Sequence, residues 1–314
     1  MKFIINTIFL LSFLMMLVMT GCDDNNDIAD NGDDFTGESQ TYELHESADS
    51  GISGIVVFEE MTDGSTFITI DLNGTESGAG YPAHIHANTV AEGGGVDIPL
   101  TNVDGDTGMS ETEVSSLNDT PITYQELIAY DGHVNVHNPD DTSIIFAEGD
   151  IGGNALTGES ITYELQEASD SGISGQVRFE ERNDGNTLST IELTGTADGL
   201  EYAAHIHYNS VADGGGIAFP YNNVDGTTGV SVTNIRAEQT DDDLSYSTLL
   251  EFDGHVNVHD PDDLSILVAQ GNIGANEGEN SGNGNDNEEN GNDTENGEND
   301  NGDDDNGNNG DDDY

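Results

Sequence analysis

Along Phe67–Leu72 the side chains of Ile68, Ile70 and Leu72 alternate with Phe67, Thr69 and Asp71. This period of two gives a strand one mainly buried and one mainly exposed face. The run from Gly54 to Glu60 is likewise rich in β-branched and aromatic residues, and Asp63-Gly64, Asn73-Gly74 and Asp131-Gly132 mark turns. No long segment carries the 3.6-residue period of a helix. The pattern predicts an all-β fold, an antiparallel β-sandwich or barrel of roughly seven or eight strands.

The same pattern occurs twice. Thr36-Gly37-Glu38-Ser39 returns as Thr157-Gly158-Glu159-Ser160, Ala83-His84-Ile85-His86 as Ala204-His205-Ile206-His207, and Gly132-His133-Val134-Asn135-Val136-His137 as Gly254-His255-Val256-Asn257-Val258-His259. The offset is 121 from His84 to His205 and 122 from His137 to His259. So small a slippage predicts two tandem modules of one fold, residues 36–156 and 157–275, each large enough for its own core.

The flanks have a different composition. Residues 276–314 are almost only Asn, Asp, Glu and Gly, with no apolar side chain before Tyr314, and are expected to be a disordered tail. Residues 22–35 read as a flexible acidic tether. Ahead of them, Lys2 precedes an apolar stretch from Ile8 to Met19 that is short for a bilayer span, as in a signal peptide covering residues 1–21. Met19-Thr20-Gly21-Cys22 resembles the bacterial lipobox, in which the cysteine is acylated. Cys22 is the only cysteine, so an intrachain disulfide is excluded. Asp23 and Asp24 resemble the acidic signal that sends some bacterial lipoproteins to the cell surface. The resemblance implies an exported chain, anchored in the outer membrane by its lipid and facing outward.

Charge narrows the partners. Of 4 Lys and Arg residues, removal of residues 1–21 takes Lys2 and leaves 3, against 64 Asp and Glu. Such a polyanion repels DNA, RNA and anionic headgroups, which excludes nucleic-acid binding and leaves the lipid as the route to the membrane. An extracellular protein, a glycan or a metal ion remains as partner.

Eight of the nine histidines lie in the repeated motifs; the ninth, His45, is replaced by Gln166 in the second copy. On a strand, His84 and His86 share one face and Ala83 and Ile85 the other, while His133, Asn135 and His137 oppose Val134 and Val136. If the aliphatic set points inward and the two strands lie side by side, the imidazoles form an outward-facing cluster of a kind that suits zinc or copper. His133 and His137 are about 13 Å apart along a strand, so the expected ligands are His84, His86 and His137, with His133 peripheral. In the second copy they are His205, His207 and His259, with His255 peripheral. The other reading is structural: the imidazoles hydrogen-bond neighbouring loops and fix the strand ends.

These motifs, with Gly93-Gly94-Gly95 leading to the apolar run Val96–Leu100 and with Ala147–Ile151 after the last histidine, resemble the CHRD domain first described in chordin. The resemblance covers nearly all of residues 36–156 and 157–275. It implies an extracellular binding module, and bacterial members have no generally established activity. The family's Gly-Glu-Ile-Arg-Gly type sequence is missing; Phe146-Ala147-Glu148-Gly149-Asp150 and Val268-Ala269-Gln270-Gly271-Asn272 stand in its place. A fainter resemblance is to copper-zinc superoxide dismutase, whose His-x-His strand matches His84 and His86 and whose later ligand matches His137 before Pro139-Asp140-Asp141. The bridging histidine, zinc loop, disulfide cysteines and substrate-guiding arginine of that family are all missing. With no nucleophile setting among the serines and threonines, the sequence reads as a non-enzymatic binding or adhesion-type surface protein. The alternative is a copper or zinc metalloprotein, a carrier or a degenerate dismutase.

Asp104-Gly105-Asp106-Thr107-Gly108 has calcium-loop character, but the second copy, Asp225-Gly226-Thr227-Thr228-Gly229, loses a carboxylate and both read as turns. The glycine runs Gly93–Gly95 and Gly214–Gly216 lack the helix and lysine of a phosphate loop and read as hairpins. Cys22→Ser is expected to abolish metabolic incorporation of an alkyne-tagged fatty acid into the expressed chain; retained label would refute lipidation at this residue.

Overall fold

The computed structural model describes residues 35–237 and 243–278. The signal peptide, Cys22, most of the tether and most of the acidic tail lie outside the described residues. The chain divides into two compact units between Leu156 and Thr157. Each is all-β and is built on one antiparallel sheet of ten strands.

In the first module the strands are β1 (Phe35–Glu46), β2 (Ser53–Met61), β3 (Thr66–Asn73), β4 (Gly80–Tyr81), β5 (Ala83–Ala87), β6 (Val96–Pro99), β7 (Val103–Asp104), β8 (Met109–Val114), β9 (Ser116–Leu117), β10 (Thr120–Pro121), β11 (Asp131–His137) and β12 (Ile145–Gly152). The helix α1 (Tyr124–Leu127) is a single turn, opened by a Thr123–Glu126 capping box. The main sheet runs β4-β7-β8-β3-β2-β1-β12-β11-β5-β6, with β9 and β10 paired apart from it. Strand β1 joins the two halves of the sandwich: Gln40–Leu44 pair with β2, and His45 and Glu46 pair with β12. A twelve-residue strand is long enough to serve both halves as the sheet curls over its own apolar face.

Alternation does what the sequence predicts. In β3, Ile68, Ile70 and Leu72 are buried while Asp71 and Asn73 are exposed. Tyr42, Phe58, Ile70, Ile85, Val134, Val136 and Ala147 belong to one contiguous core. Tyr42 and Phe58 meet edge to face at 5.2 Å across the β1–β2 pair.

The second module repeats this plan with β13 (Leu156–Glu167), β14 (Ser174–Arg182), β15 (Thr187–Thr194), β16 (Glu201–Tyr202), β17 (Ala204–Tyr208), β18 (Ile217–Pro220), β19 (Val224–Asp225), β20 (Val230–Ile235), α2 (Tyr246–Leu249), β21 (Asp253–His259) and β22 (Leu267–Gly274). Its order, β16-β19-β20-β15-β14-β13-β22-β21-β17-β18, is that of the first.

The structure corrects the sequence in three respects. There are more strands than seven or eight, because two-residue strands such as β4 and β7 are too short to show a period. Phe35, assigned to the tether, belongs to β1, and its ring stacks edge-on against Phe67 at 5.6 Å. Asn276, assigned to the tail, belongs to the second module: its amide donates to Asp253 Oδ1 at 2.9 Å and to the Gly254 carbonyl at 3.2 Å. Asn154 makes the same pair of bonds to Asp131 and Gly132.

Ile85 is fully buried on the inner face of the strand that carries His84 and His86. Its replacement by alanine leaves a cavity that the sheet cannot close, so Ile85→Ala is expected to cost about 2–5 kcal/mol of unfolding free energy by chemical denaturation. A loss well under 1 kcal/mol would contradict this packing.

Candidate functional site

The histidines gather where β5 and β11 lie side by side. Their antiparallel register sets His86 opposite His133, Ile85 opposite Val134, His84 opposite Asn135 and Ala83 opposite Val136. Since opposed residues share a face, burying Ile85, Val134 and Val136 places all four imidazoles on the other side of the sheet. Their ring centroids are 5.1 Å apart for His84–His137, 5.8 Å for His84–His86 and 5.8 Å for His86–His137. One nitrogen from each of these three rings lies within 4.8 Å of the other two, and the same holds for His205, His207 and His259.

Two bulges sharpen the cluster. The β11–β12 register slips between Val136 and His137, and the β5–β6 register between Ile85 and His86. An extra residue re-aims the neighbouring side chain. The His137 backbone N–H donates to the Pro82 carbonyl at 2.8 Å, which ties the end of β11 to the start of β5.

The cluster is on the outer face, as expected, yet it is not open. His86, His133 and His137 are 8%, 2% and 7% exposed. The cover is the β5–β6 loop, which folds back across the sheet and is anchored where the Val90 N–H donates to Asp150 Oδ1 on β12 at 2.7 Å. Asn88, at a left-handed φ of 64°, turns the chain into this loop, and its carbonyl accepts from His133 Nδ1 at 2.8 Å. At Gly94 a Cβ would stand 2.0 Å from the Ala87 carbonyl oxygen, so only glycine fits. That close approach lets the Gly94 carbonyl accept from His86 Nδ1 at 3.0 Å. The second copy reproduces each device: Asn209 holds His255 at 2.8 Å, and Gly215 holds His207 at 3.0 Å.

These carbonyls decide the tautomers. A carbonyl oxygen only accepts, so His86 Nδ1 carries the proton and Nε2 keeps a lone pair. His86 Nε2, His84 Nδ1 and His137 Nε2 are all buried without a hydrogen-bond partner. In the second copy His259 Nδ1 donates to the Leu264 carbonyl at 2.7 Å, and its Nε2 lies 3.1 Å from His205 Nδ1. His133 is held apart from the ligand atoms: it stacks on His86 at 5.2 Å and spends its Nδ1 on Asn88. His255 does the same against His207 at 5.2 Å and Asn209. His133 and His255 thus match the structural reading of the histidines, with Nδ1 bonded to a loop carbonyl.

Burial favours the neutral imidazoles. It lowers the pKa of His84 below the ordinary value of 6.5, and the proximity of His137 and His86 lowers it further. Burial does the same for His137, against the pull of the Thr142 backbone. His205 follows the pattern of His84, and in His255 and His259 burial outweighs the backbone carbonyls of Asn209 and Leu264. Neutral imidazole is the form that binds a metal ion.

Several members of the site carried no signal in the sequence. Gly94 and Gly215 read there only as hairpin glycines, yet their carbonyls orient a histidine. Asn135 and Asn257, between the histidines of β11 and β21, are 4% and 8% exposed and each keeps a buried Oδ1 without a partner. The segment of calcium-loop character is a turn, closed by Gly108 N–H donating to the Asp104 carbonyl at 2.7 Å and by the Asp106 N–H on Asp104 Oδ1. His45 stands apart at the end of β1, 4.0 Å from Glu43, with both side chains exposed.

Comparison with protein-family models, curated proteins and solved structures finds no match to this chain. The site therefore speaks through its own geometry.

Because the folded state binds protons to His84, His137, His205, His255 and His259 less readily than the unfolded chain, their contribution to stability is complete above about pH 6.5 and is lost as pH falls through the lowered folded values. Metal-free protein is expected to show a falling denaturation midpoint between about pH 7 and pH 5. A His84→Gln, His137→Gln, His205→Gln variant should show a shallower slope. An unchanged slope would overturn the assignment.

Proposed function

We propose that each module holds one copper or zinc ion, through His84, His86 and His137 in the first and through His205, His207 and His259 in the second. The chain would act as a non-enzymatic metal-binding protein, exported and lipid-anchored at the cell surface. The observation that carries this reading is the set of imidazole nitrogens left buried and unpaired beside one another in the first module. A buried polar atom without a hydrogen-bond partner costs roughly 1–3 kcal/mol, and His84 Nδ1, His86 Nε2 and His137 Nε2 are all in that state, an expense that a bound cation reduces.

The donor chemistry agrees. Imidazole suits zinc and copper, and the carbonyls behind His86, His207 and His259 are the outer-shell acceptors that fix a ligating histidine. Bonds of about 2.0–2.1 Å to zinc bring tetrahedral ligand nitrogens to roughly 3.4 Å apart. The three rings therefore close on the ion by small side-chain rotations. Three protein ligands leave a further position for water or an exogenous ligand. A net charge of -60 concentrates cations around the chain at low salt.

This choice selects the metal ion from the partners the sequence allows. The likeness of the motifs to the CHRD domain supports an extracellular setting, and the likeness to superoxide dismutase supports the His-x-His donor pair. A surface this acidic repels an anionic substrate such as superoxide, which favours carriage over catalysis.

Elemental analysis of tag-free protein after reconstitution is expected to give two metal ions per chain. A His84→Ala, His86→Ala variant should give one, with the folded far-UV spectrum retained. Near-zero copper and zinc in the reconstituted wild type would overturn the proposal.

A further inference from the structure

The two copies share their histidines but differ in the carboxylates around them. Across β11 and β12, His133 opposes Asp150 and Asn135 opposes Glu148. Across β21 and β22, His255 opposes Asn272 and Asn257 opposes Gln270. Opposed residues share a face, so the outer surface of the first module carries two carboxylates beside its histidines where the second carries two amides. A third change has the same sign: Asp97 on β6, which accepts from Asn118 and Tyr130, is Ala218 on β18. Of the other nearby acids, Glu92 becomes Asp213 and Asp140 and Asp141 become Asp262 and Asp263, while Asn138 beside His137 becomes Asp260 beside His259, one carboxylate of the opposite sign.

A second difference lies in the ligands themselves. In the first module His84 Nδ1 and His137 Nε2 are unpaired. In the second, the corresponding atoms hydrogen-bond to each other at 3.1 Å. Since His259 Nδ1 gives its proton to Leu264, His205 Nδ1 is the donor to His259 Nε2. A metal ion entering there breaks this bond and moves the His205 proton to Nε2. The second site is also more open, with His207 and His259 half-buried where His86 and His137 are buried.

We infer that the two metal sites are unequal: the first module holds the tightly bound ion, and the second is the weaker, exchangeable site. This rests on the proposed metal-binding function and goes beyond it by assigning different roles to the copies. Glu148 is two strand spacings from His84, roughly 10 Å. At that range one unit charge favours a divalent cation by a few-fold even in water, less as salt screens it. Two such charges, set against Asp260 beside His259, leave a net preference of about a few-fold for the first site. Breaking the His205–His259 bond adds a factor of about 2–10 against the second site.

The test uses the full chain and zinc, with a competing chelator as reporter at about pH 7.5. A His205→Ala, His207→Ala variant leaves only the first site, and a His84→Ala, His86→Ala variant leaves only the second. The first variant is expected to bind one zinc about tenfold more tightly than the second. Adding Glu148→Gln and Asp150→Asn to the first variant should lower its affinity toward that of the second site. The Asp150→Asn change keeps the loop anchor, because Asn272 Oδ1 already accepts from the Val211 N–H at 2.7 Å in the second copy. Conversely, Gln270→Glu and Asn272→Asp should raise the affinity of the second site. Equal or reversed affinities would overturn the inequality while leaving the metal sites in place. Unequal affinities that ignore the exchanges would overturn its electrostatic cause. Absence of both zinc and copper binding by the two variants and by the wild type would overturn the proposed function itself.

Discussion

The pairing of β5 with β11 is the contact on which the rest of each module depends. Ile85, Val134 and Val136 are wholly buried and lie on the inner side of two adjacent strands. A one-residue slip in that register would exchange the faces, expose the aliphatic side chains and drive the imidazoles into the core. The hydrophobic effect thus places the histidines without any direct attraction among them. Burial of aliphatic groups on one face stabilises an arrangement of polar groups on the other that would not form unaided.

Once the faces are set, the β5–β6 loop turns a row of histidines into a site. By crossing over β11 to reach Asp150 it takes His86 and His133 out of water, and it supplies the Gly94 and Asn88 carbonyls that orient their rings. The glycine at 94 permits the close backbone approach, and the left-handed Asn88 starts the return. The stacking of His133 on His86 then adds a wall on one side of the cluster. Each feature constrains rotation of an imidazole, which lowers the entropy cost of the proposed binding of one ion by three rings.

The strand alternation, the duplication and the two histidine pairs were legible in the sequence because each is a local, periodic signal. The period of two assigned faces to Ile68, Ile70 and Leu72, and to His84 and His86, before any coordinates. The separation of His133 from His137 was legible for the same reason, since it follows from strand rise. What could not be read was anything made by chain segments meeting at a distance. The loop that buries the cluster depends on Val90 reaching Asp150, sixty positions away. The carbonyl partners of the rings are backbone atoms and have no residue signature. The two-residue strands and the place of Asn276 were missed because each is set by its sheet neighbour rather than by its own composition.

Acidity and metal affinity are in tension within such a chain. A carboxylate touching an imidazole stabilises the protonated ring and so competes with a cation for its lone pair, whereas a carboxylate a few strands away attracts the cation with less effect on the ring. The first module meets both demands. Glu148 is separated from His84 by Asn135, and Asp150 is engaged by the Val90 N–H, while burial holds His84 and His137 in their neutral form. In the second module the same two positions are amides, and the hydrogen bond that His205 gives His259 takes up lone-pair capacity that the first module leaves open. The loop anchor survives the exchange, because an amide oxygen accepts from Val211 as well as a carboxylate does. Charge at this face is therefore separable from folding, and two copies of one scaffold can differ in their hold on a cation without differing in architecture.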